Sequence, residues 1–355
     1  MKRSIKIIFL FIITIQGYSQ SLDFASLFLR GGIEDGGKLL NAYVEPLHNT
    51  FSAAGNSNWN FPSQSEDSKI HFYFEIKYSY TTVPTSDREY DIYNLGLQEL
   101  KPSDPSQHIA QTVFGDASAI QLETNDHIVN PWPPFNSKPL ATFNSPEGTG
   151  IHGMQLPWLH LGINYKGTQV SLRALPPLPI QNGDGNIGLW GIGAGQNINK
   201  LIKGLHDFPV EFKLIAAYSR TNLTVKQNLQ PDEAFISLSG GPYDNQNFEL
   251  KTKGYNLDFY VMKKLGLFIF SGGPGYAFSQ SDVKLTGTYP IYVKDPAGIF
   301  GFSIADINDP IDQTLTDGFF KAGLNVAAKF NFLLINIDMQ FGKYNTFAGG
   351  IGFIL

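Results

Sequence analysis

Over the last thirty-six residues, Phe320 to Leu355, apolar and polar side chains alternate one by one in three consecutive runs. Phe320, Ala322, Leu324, Val326, Ala328 and Phe330 share one parity, against Lys321, Gly323, Asn325, Ala327, Lys329 and Asn331. Leu333, Ile335, Ile337, Met339 and Phe341 then oppose Asn336, Asp338 and Gln340, and Ile351, Phe353 and Leu355 end the chain. A period of two sends neighbouring side chains to opposite faces of an extended strand. Consecutive strands that each keep one apolar and one polar face need apolar solvent on one side and water on the other. A closed antiparallel barrel in a bilayer meets that demand.

The same alternation predicts further spanning strands. Ile70, Phe72, Phe74, Ile76, Tyr78 and Tyr80 oppose His71, Tyr73, Glu75, Lys77 and Ser79, a charged set too costly to bury in an apolar core. Leu159, Leu161, Ile163 and Tyr165 oppose His160, Gly162 and Asn164, followed by a turn at Lys166-Gly167. Val170, Leu172 and Ala174 oppose Ser171 and Arg173, and the run Leu175-Pro-Pro-Leu-Pro179 is expected to end that strand. Gly188 to Gly195, bearing Trp190, reads as a glycine-rich strand, and Val210 to Tyr218 begins another. Glu249, Lys251, Lys253, Tyr255, Leu257, Phe259 and Val261 share one parity. Either that strand is unbroken, with its charged half above the bilayer and Tyr255 at the interface, or a bulge at Gly254 switches its faces. Further strands are expected across Leu265 to Phe278 and Asp282 to Val293.

Two segments break the pattern. Leu39, Leu40, Tyr43, Val44 and Leu47 recur at helical spacing, with Pro46 and the stretch Ala53 to Asn58 predicted to end the helix. This segment either plugs the barrel or leads into it. A second short helix is expected from Ile198, Leu201, Ile202 and Leu205. Residues 84–150 are polar and rich in Pro, Asn, Ser and Asp, with weaker strand candidates at Tyr90–Leu97 and Ala110–Leu122. Asn130-Pro-Trp-Pro-Pro-Phe135 cannot pair as a central strand, so the region reads as a long external loop. Asp306, Asp309, Asp312 and Asp317 mark another external loop.

The first residues read as an export signal. Lys2, Arg3 and Lys6 precede the apolar run Ile7 to Ile15, and Gly17 and Ser19 suit cleavage before Gln20. Cleavage removes those three cations and no acid, taking the formal net charge from −5 to −8. An acidic mature chain has no basic stripe for phosphates, so nucleic acid is excluded as a partner. With no cysteine, disulfides, thiolate metal sites and a lipid-modified cysteine anchor are excluded. No later apolar run approaches the roughly 18 residues that a spanning helix needs. Aromatic content of 14% suits interfacial girdles. The expected organisation is therefore a signal peptide at 1–19, a helical plug segment at 20–62 and a transmembrane barrel at 63–355. Length predicts about 14 strands, with about 12 the alternative.

Several segments carry a resemblance. Leu39 to Phe61, LLNAYVEPLHNTFSAAGNSNWNF, followed by an alternating strand, resembles an uncharacterised outer-membrane β-barrel family of Gram-negative bacteria. So do LGINYKGTQVSLRALPPLPI, GLWGIGAGQNINKLIKGL and FPVEFKLIAAYS between Leu159 and Tyr218. That family is distantly similar to the long-chain fatty-acid transporters of outer membranes, which have about 14 strands, an N-terminal plug and a hydrophobic passage. The resemblance implies an outer-membrane location and passive uptake of small hydrophobic molecules. It carries over no ligand-contacting residue. The terminal Gly350-x-x-Phe353-x-Leu355 resembles the signal read by the barrel assembly machinery, with Leu in place of the usual aromatic. Expected partners are that machinery, outer-membrane lipids and small hydrophobic solutes.

Candidate chemistry is sparse. None of the seven histidines pairs at the helical spacing of a zinc hydrolase. Ser79 and His71 share a strand face, but eight residues of strand separate them by about 26 Å, too far for a nucleophile and its base. Asn182-Gly-Asp-Gly-Asn186 lacks the closing glutamate of a calcium loop and reads as a glycine turn. No enzyme, metal or cofactor is indicated. The candidate lumen-lining residues are His71, Tyr73, Glu75, Lys77, His160, Asn164, Arg173, Trp190, Lys321, Lys329 and Asp338. Their mixed charge argues against an ion-selective channel, which concentrates one sign. The alternatives to uptake are a general diffusion porin and a surface-exposed structural or adhesive protein.

Overall fold

The computed structural model describes residues 24–61, 69–129, 137–180, 183–231, 240–295 and 302–355. The expected signal peptide and the Asn130–Phe135 segment lie outside the described residues. Ten antiparallel strands close into one barrel: β1 Ile70–Thr82, β2 Gly153–Tyr165, β3 Thr168–Ile180, β4 Gly185–Asn197, β5 Glu211–Lys226, β6 Asn247–Leu265, β7 Phe268–Thr286, β8 Ile311–Phe330, β9 Leu333–Phe341 and β10 Thr346–Ile354. Strand β1 pairs with β2 on one edge and β10 on the other, with Tyr73 opposite Ile354 and Thr81 opposite Thr346. Closure gives every strand a hydrogen-bonded neighbour on each side, as a sheet in lipid requires.

The expected count of 14 or 12 strands is therefore corrected to ten. Length went into taller strands rather than more of them, because β6, β7 and β8 run for 19, 19 and 20 residues. The acidic stretch expected as a loop partly belongs to β8, which starts at Ile311. Asp282 to Val293 is likewise not one strand: β7 ends at Thr286, and 288–294 forms a separate hairpin with 302–308. Strand β6 is unbroken through Gly254, which pairs with Ser219 and Ser279, so no bulge switches its faces.

Short turns gather at the end that holds the C-terminus. Lys166-Gly167 joins β2 to β3 with both residues at positive φ, the geometry whose twist suits a two-residue hairpin. Gly266-Leu267 and Asn331-Phe332 join β6 to β7 and β8 to β9 in two residues, with positive φ at Gly266 and Asn331. The long connections, 83–152, 227–246 and 287–310, lie at the opposite end, as outer-membrane barrels place them outside the cell. Within the first, Glu89–Asp91 pairs with Ile109–Gln111, and Leu100–Pro102 with Gln121–Thr124, so the weak strand candidates form small external sheets. The helix expected around Ile198 to Leu205 is two single 3-10 turns, too short for amphipathic packing.

A short helix α1, Phe24–Leu27, precedes α2, Ile33–Gly55, which occupies the barrel interior. Pro46 does not end α2, although it lacks an N–H for the helical ladder. From Leu39 to Gly55 nearly every side chain is buried, and packing on all sides outweighs one lost hydrogen bond. The helix enters at the long-loop end, where the buried Asp35 carboxylate accepts the N–H groups of Gln98, Glu99 and Leu100 at 2.7–3.0 Å. It descends toward the short-turn end, where Gly55 meets Ser219.

A ten-stranded barrel is little wider than the eight-stranded kind that side chains alone can fill, so a helix about 10 Å across fits only against small residues. Ser219, Thr221, Gly254, Ser279 and Ser281 supply that wall. His48, Ser52 and Asn56, one helical turn apart, form a polar stripe facing it. His48 Nδ1 hydrogen-bonds Ser281 Oγ at 2.6 Å, while Ser52 Oγ and Asn56 Nδ2 donate to Ser279 Oγ at 2.8 and 2.9 Å. At Gly254, a methyl group would stand 2.7 Å from Ser219 Oγ and 2.8 Å from Asn56 Oδ1, so a larger residue would have to displace both side chains.

Candidate functional site: an apolar cavity above a charged clamp

The lumen changes character along its length. In its middle, nine of the eleven candidate lumen residues face inward or lie at the inner rim of the short-turn end. Tyr73, Glu75, Lys77, His160, Asn164, Arg173, Lys321 and Asp338 are buried, and His71 pairs with Asn164 nearer the rim. Lys329 has the inward parity but is only half-buried, beside the short turn. Trp190 is a correction: its indole is 44% exposed on the outer face and meets Tyr218 edge-on at 5.4 Å. Gly191 and Gly193 instead face inward, where Trp59 packs against them at distances no Cβ would allow.

The inward charges do two things. Lys77 Nζ pairs with Asp338 Oδ2 at 2.9 Å and Glu75 Oε2 at 3.5 Å, while Asn325 and Asn336 donate to Asp338 and Glu75. Three further cations grip the chain that follows α2. Arg173 Nη2 donates to Ser57 O at 2.8 Å and Asn58 O at 3.0 Å, and its guanidinium lies between the Trp59 and Trp158 rings at 4.0 and 4.6 Å. Lys321 Nζ donates to Asn56 O and pairs with Asp258 at 3.0 Å. Lys213 Nζ donates to Phe61 O at 3.0 Å, to Asn60 Oδ1 and to Gln169 Oε1. A helix C-terminus presents unpaired carbonyls and partial negative charge, so cations are the matching partners. The clamp fixes residues 56–61 across the lower lumen.

Toward the long-loop end the inner wall turns apolar. Leu223 and Val225 of β5, Phe248 and Leu250 of β6, Val283 and Leu285 of β7 and Ile311 of β8 are all buried. At the same height Glu249, Lys251 and Lys253 face outward, where Lys251 pairs with Glu249 and Lys253 with Asp282 at 3.5 Å. Hydrophobic and polar faces thus exchange sides within one strand. Leu223 and Val225 of this wall, with α1, α2, the external loop and β2 to β4, border a cavity of roughly 110 Å³. Phe24, Leu47 and Phe51 line it from the helices, Val113, Phe114 and Thr149 from the external loop, and Leu223 and Val225 from β5. Met154 to Pro157 of β2, Leu175, Leu178 and Ile180 of β3 and Ile187 of β4 complete it. Among the described residues that line it, Thr149 and Gln155 have polar side chains and the rest are apolar. None of the sequence-derived candidates lines this cavity.

The wall beside the cavity is incomplete. Pairing between β2 and β3 runs from Tyr165 opposite Thr168 to Leu159 opposite Ala174 and goes no further, although both strands continue. Past this point β2 still pairs with β1, and β3 with β4, across a bulge between Leu175 and Leu178. The Leu175-Pro-Pro-Leu-Pro179 run, expected to end its strand, instead parts it from one neighbour. Three of the six residues from Leu175 to Ile180 are prolines without an N–H, and Pro157 faces the gap from β2. Fewer unmet donors make the parting cheaper, since each buried unpaired donor costs about 1–3 kcal/mol.

Outside the barrel the external loop holds isolated ion pairs. His108 Nδ1 lies 2.9 Å from Asp91 Oδ1, and this contact with the Tyr93 N–H holds the Asp91 carboxyl below its usual range. Among the described residues, no group of histidines and carboxylates is arranged to hold a metal ion.

Solved structures similar to this chain are membrane barrels of low identity. Ail, the attachment invasion locus protein of Yersinia pestis, is 8% identical, with 81% of this chain and 99% of that chain covered at a TM-score of 0.27. The toluene transporter TodX of Pseudomonas putida is 7% identical over 81% and 88%, at 0.25. The transport unit of the autotransporter AIDA-I of Escherichia coli is 8% identical over 90% and 97%, at 0.26. No curated protein matches the chain. A family model does match, over residues 1–355, and the chain belongs to that family of unknown function, DUF6588.

Proposed function

We propose that this outer-membrane-type barrel takes up small apolar molecules passively, by way of the cavity beside α2. The observation that carries this reading is an almost wholly apolar chamber inside a membrane barrel whose water path is filled. Ligand pockets are mostly apolar with a few polar groups for orientation, and Thr149 fits that description. An engineered cavity of about 150 Å³ lined by Leu, Ile and Phe stays dry and binds benzene. The chamber here matches a single ring or a short alkyl chain. An open porin needs a wet lumen, whereas α2 and the clamped residues 56–61 fill this one.

Two measurements test the reading. In planar bilayers the protein is expected to give no steady ohmic current; large constant currents would instead establish the porin. Fluorobenzene binding to the reconstituted protein, followed by fluorine NMR, is expected to be saturable. Leu223→Trp, which fills the chamber from β5, is expected to weaken that binding by roughly tenfold or more. Unchanged binding in that variant would place the ligand elsewhere.

A further inference from the structure

At the short-turn end, Lys166-Gly167, Gly266-Leu267 and Asn331-Phe332 each join two strands in two residues, but the connection from β4 to β5 spans 198–210. Asn199, buried at its base, donates from Nδ2 to Leu205 O and Val210 O at 2.8 and 2.9 Å and accepts the Phe212 N–H at 2.7 Å. Asn197 Oδ1 accepts the Asn199 N–H at 2.9 Å, and Asn197 Nδ2 donates to Glu211 Oε2 at 2.6 Å. The loop so tied holds apolar side chains out of the protein. Leu201, Ile202 and Phe208 are 65%, 51% and 52% exposed. The Phe208 ring lies 5.9 Å from that of Phe212, which stacks on Phe259 at 5.9 Å. Phe259 belongs to the lipid-facing side of the wall with Leu214, Leu257 and Val261, all exposed. The loop therefore continues the bilayer-facing surface past the start of β5.

Charge is unevenly placed at the same spot. Lys200 and Lys203 of the loop and Lys263 and Lys264 of neighbouring β6 are exposed, and among the described residues none of these ammonium groups pairs with a carboxylate. Lys166 and Lys329 add cations farther round the rim. The described acids of this end are Asp207 and Glu211, the second already held by Asn197. A chain of net charge −5 thus carries a cationic edge where its strands meet the periplasmic leaflet. We infer that loop 198–210 and the adjoining end of β6 bind the headgroups of anionic phospholipids in that leaflet. Apolar tips in the acyl boundary with ammonium groups beside them match the two halves of such a lipid. Lysine stems lie along apolar surface while their charged ends reach the phosphate level. An acidic soluble partner would account for the cations but not for apolar tips joined to the lipid-facing wall.

The absence of cysteine gives the experiment a unique handle. Gly204→Cys places a thiol on the loop where nothing stands within 4 Å of a Cβ. The folded protein, labelled there with bimane, is reconstituted in phosphatidylcholine vesicles that contain either brominated phosphatidylglycerol or brominated phosphatidylcholine at the same mole fraction. Quenching by the brominated phosphatidylglycerol is expected to be roughly threefold stronger or more. Lys200→Gln/Lys203→Gln/Lys263→Gln/Lys264→Gln in the labelled protein is expected to bring the two lipids within about 1.5-fold of each other. With all four lysines in place, raising the salt from about 0.1 to 1 M shortens the Debye length from about 10 to 3 Å and is expected to remove most of the preference. That arm holds even if the quadruple variant does not fold. Equal quenching by the two lipids at low salt would leave the loop a hydrophobic anchor and overturn the headgroup site. Quenching by neither would overturn it too, and sedimentation as a dimer would then give this face to a second copy of the chain.

Discussion

Replacing Arg173 with alanine is expected to destabilise the detergent-solubilised barrel by about 3–5 kcal/mol, a large loss for one buried side chain. The guanidinium donates to Ser57 O and Asn58 O and fills the space between Trp59 and Trp158. Alanine leaves two carbonyls without their donor, a cavity where the guanidinium stood and two indoles facing a void. Nε and Nη1 of Arg173 have no hydrogen-bond partner among the described residues, so the two ring faces are what receives that edge of the cation. Lysine is expected to recover less than half the loss, because its ammonium cannot lie flat between the two rings. Urea unfolding followed by tryptophan fluorescence reads both effects, since Trp59 and Trp158 flank the site. The same alanine variant is expected to show intermittent ion conduction in planar bilayers, as residues 56–61 lose part of their hold on the lower lumen. A variant as stable and as silent as the parent would mean that Lys213 and Lys321 suffice for the clamp.

Most of the wall was legible from alternation alone. Phe320 to Phe330, Ile335 to Phe341 and Ile351 to Leu355 all carry their apolar parity on the outer surface, and Glu75, Lys77 and Asp338 lie inside. Parity is a local property of a strand, so one sequence suffices to read it. The number of strands is not local. It depends on how far each strand rises beyond the bilayer, and the charged outward residues Glu249, Lys251 and Lys253 show that β6 rises far. The cavity was hidden for a related reason. Its wall uses the parity of Leu223 and Val225, the same one that reads Lys213, Ser219 and Thr221 lower in β5. An average over the whole strand mixes the two halves. The exchange of faces is nevertheless written in β6, where one parity runs from charged to apolar and the other from apolar to polar. Trp190 misled because a tryptophan in a glycine-rich strand suits either face. The neighbouring Gly191 and Gly193 make room for a different indole, that of Trp59, which no local pattern connects to them.

The second large effect is expected at Lys77. Its ammonium is fully buried, between Asp338 Oδ2 at 2.9 Å and Glu75 Oε2 at 3.5 Å. Lys77→Met keeps the length and volume of the side chain but strands two carboxylates in a closed lumen, at an expected cost of about 3–5 kcal/mol. Asp338→Leu alone strands the lysine beside only one carboxylate and leaves Asn325 Nδ2 without the acceptor it meets at 2.8 Å. The double variant Lys77→Met/Asp338→Leu removes the cation with its nearest anion, leaving Glu75 to its hydrogen bond from Asn336. It is therefore expected to be more stable than Lys77→Met alone, with a coupling of about 1–3 kcal/mol in a double-mutant cycle. Strictly additive losses would show that water reaches this layer, because a hydrated lumen screens each charge and leaves little for the pair to share. That outcome would also bear on transport, since a wet middle layer is what a plugged apolar route does without and an open pore requires.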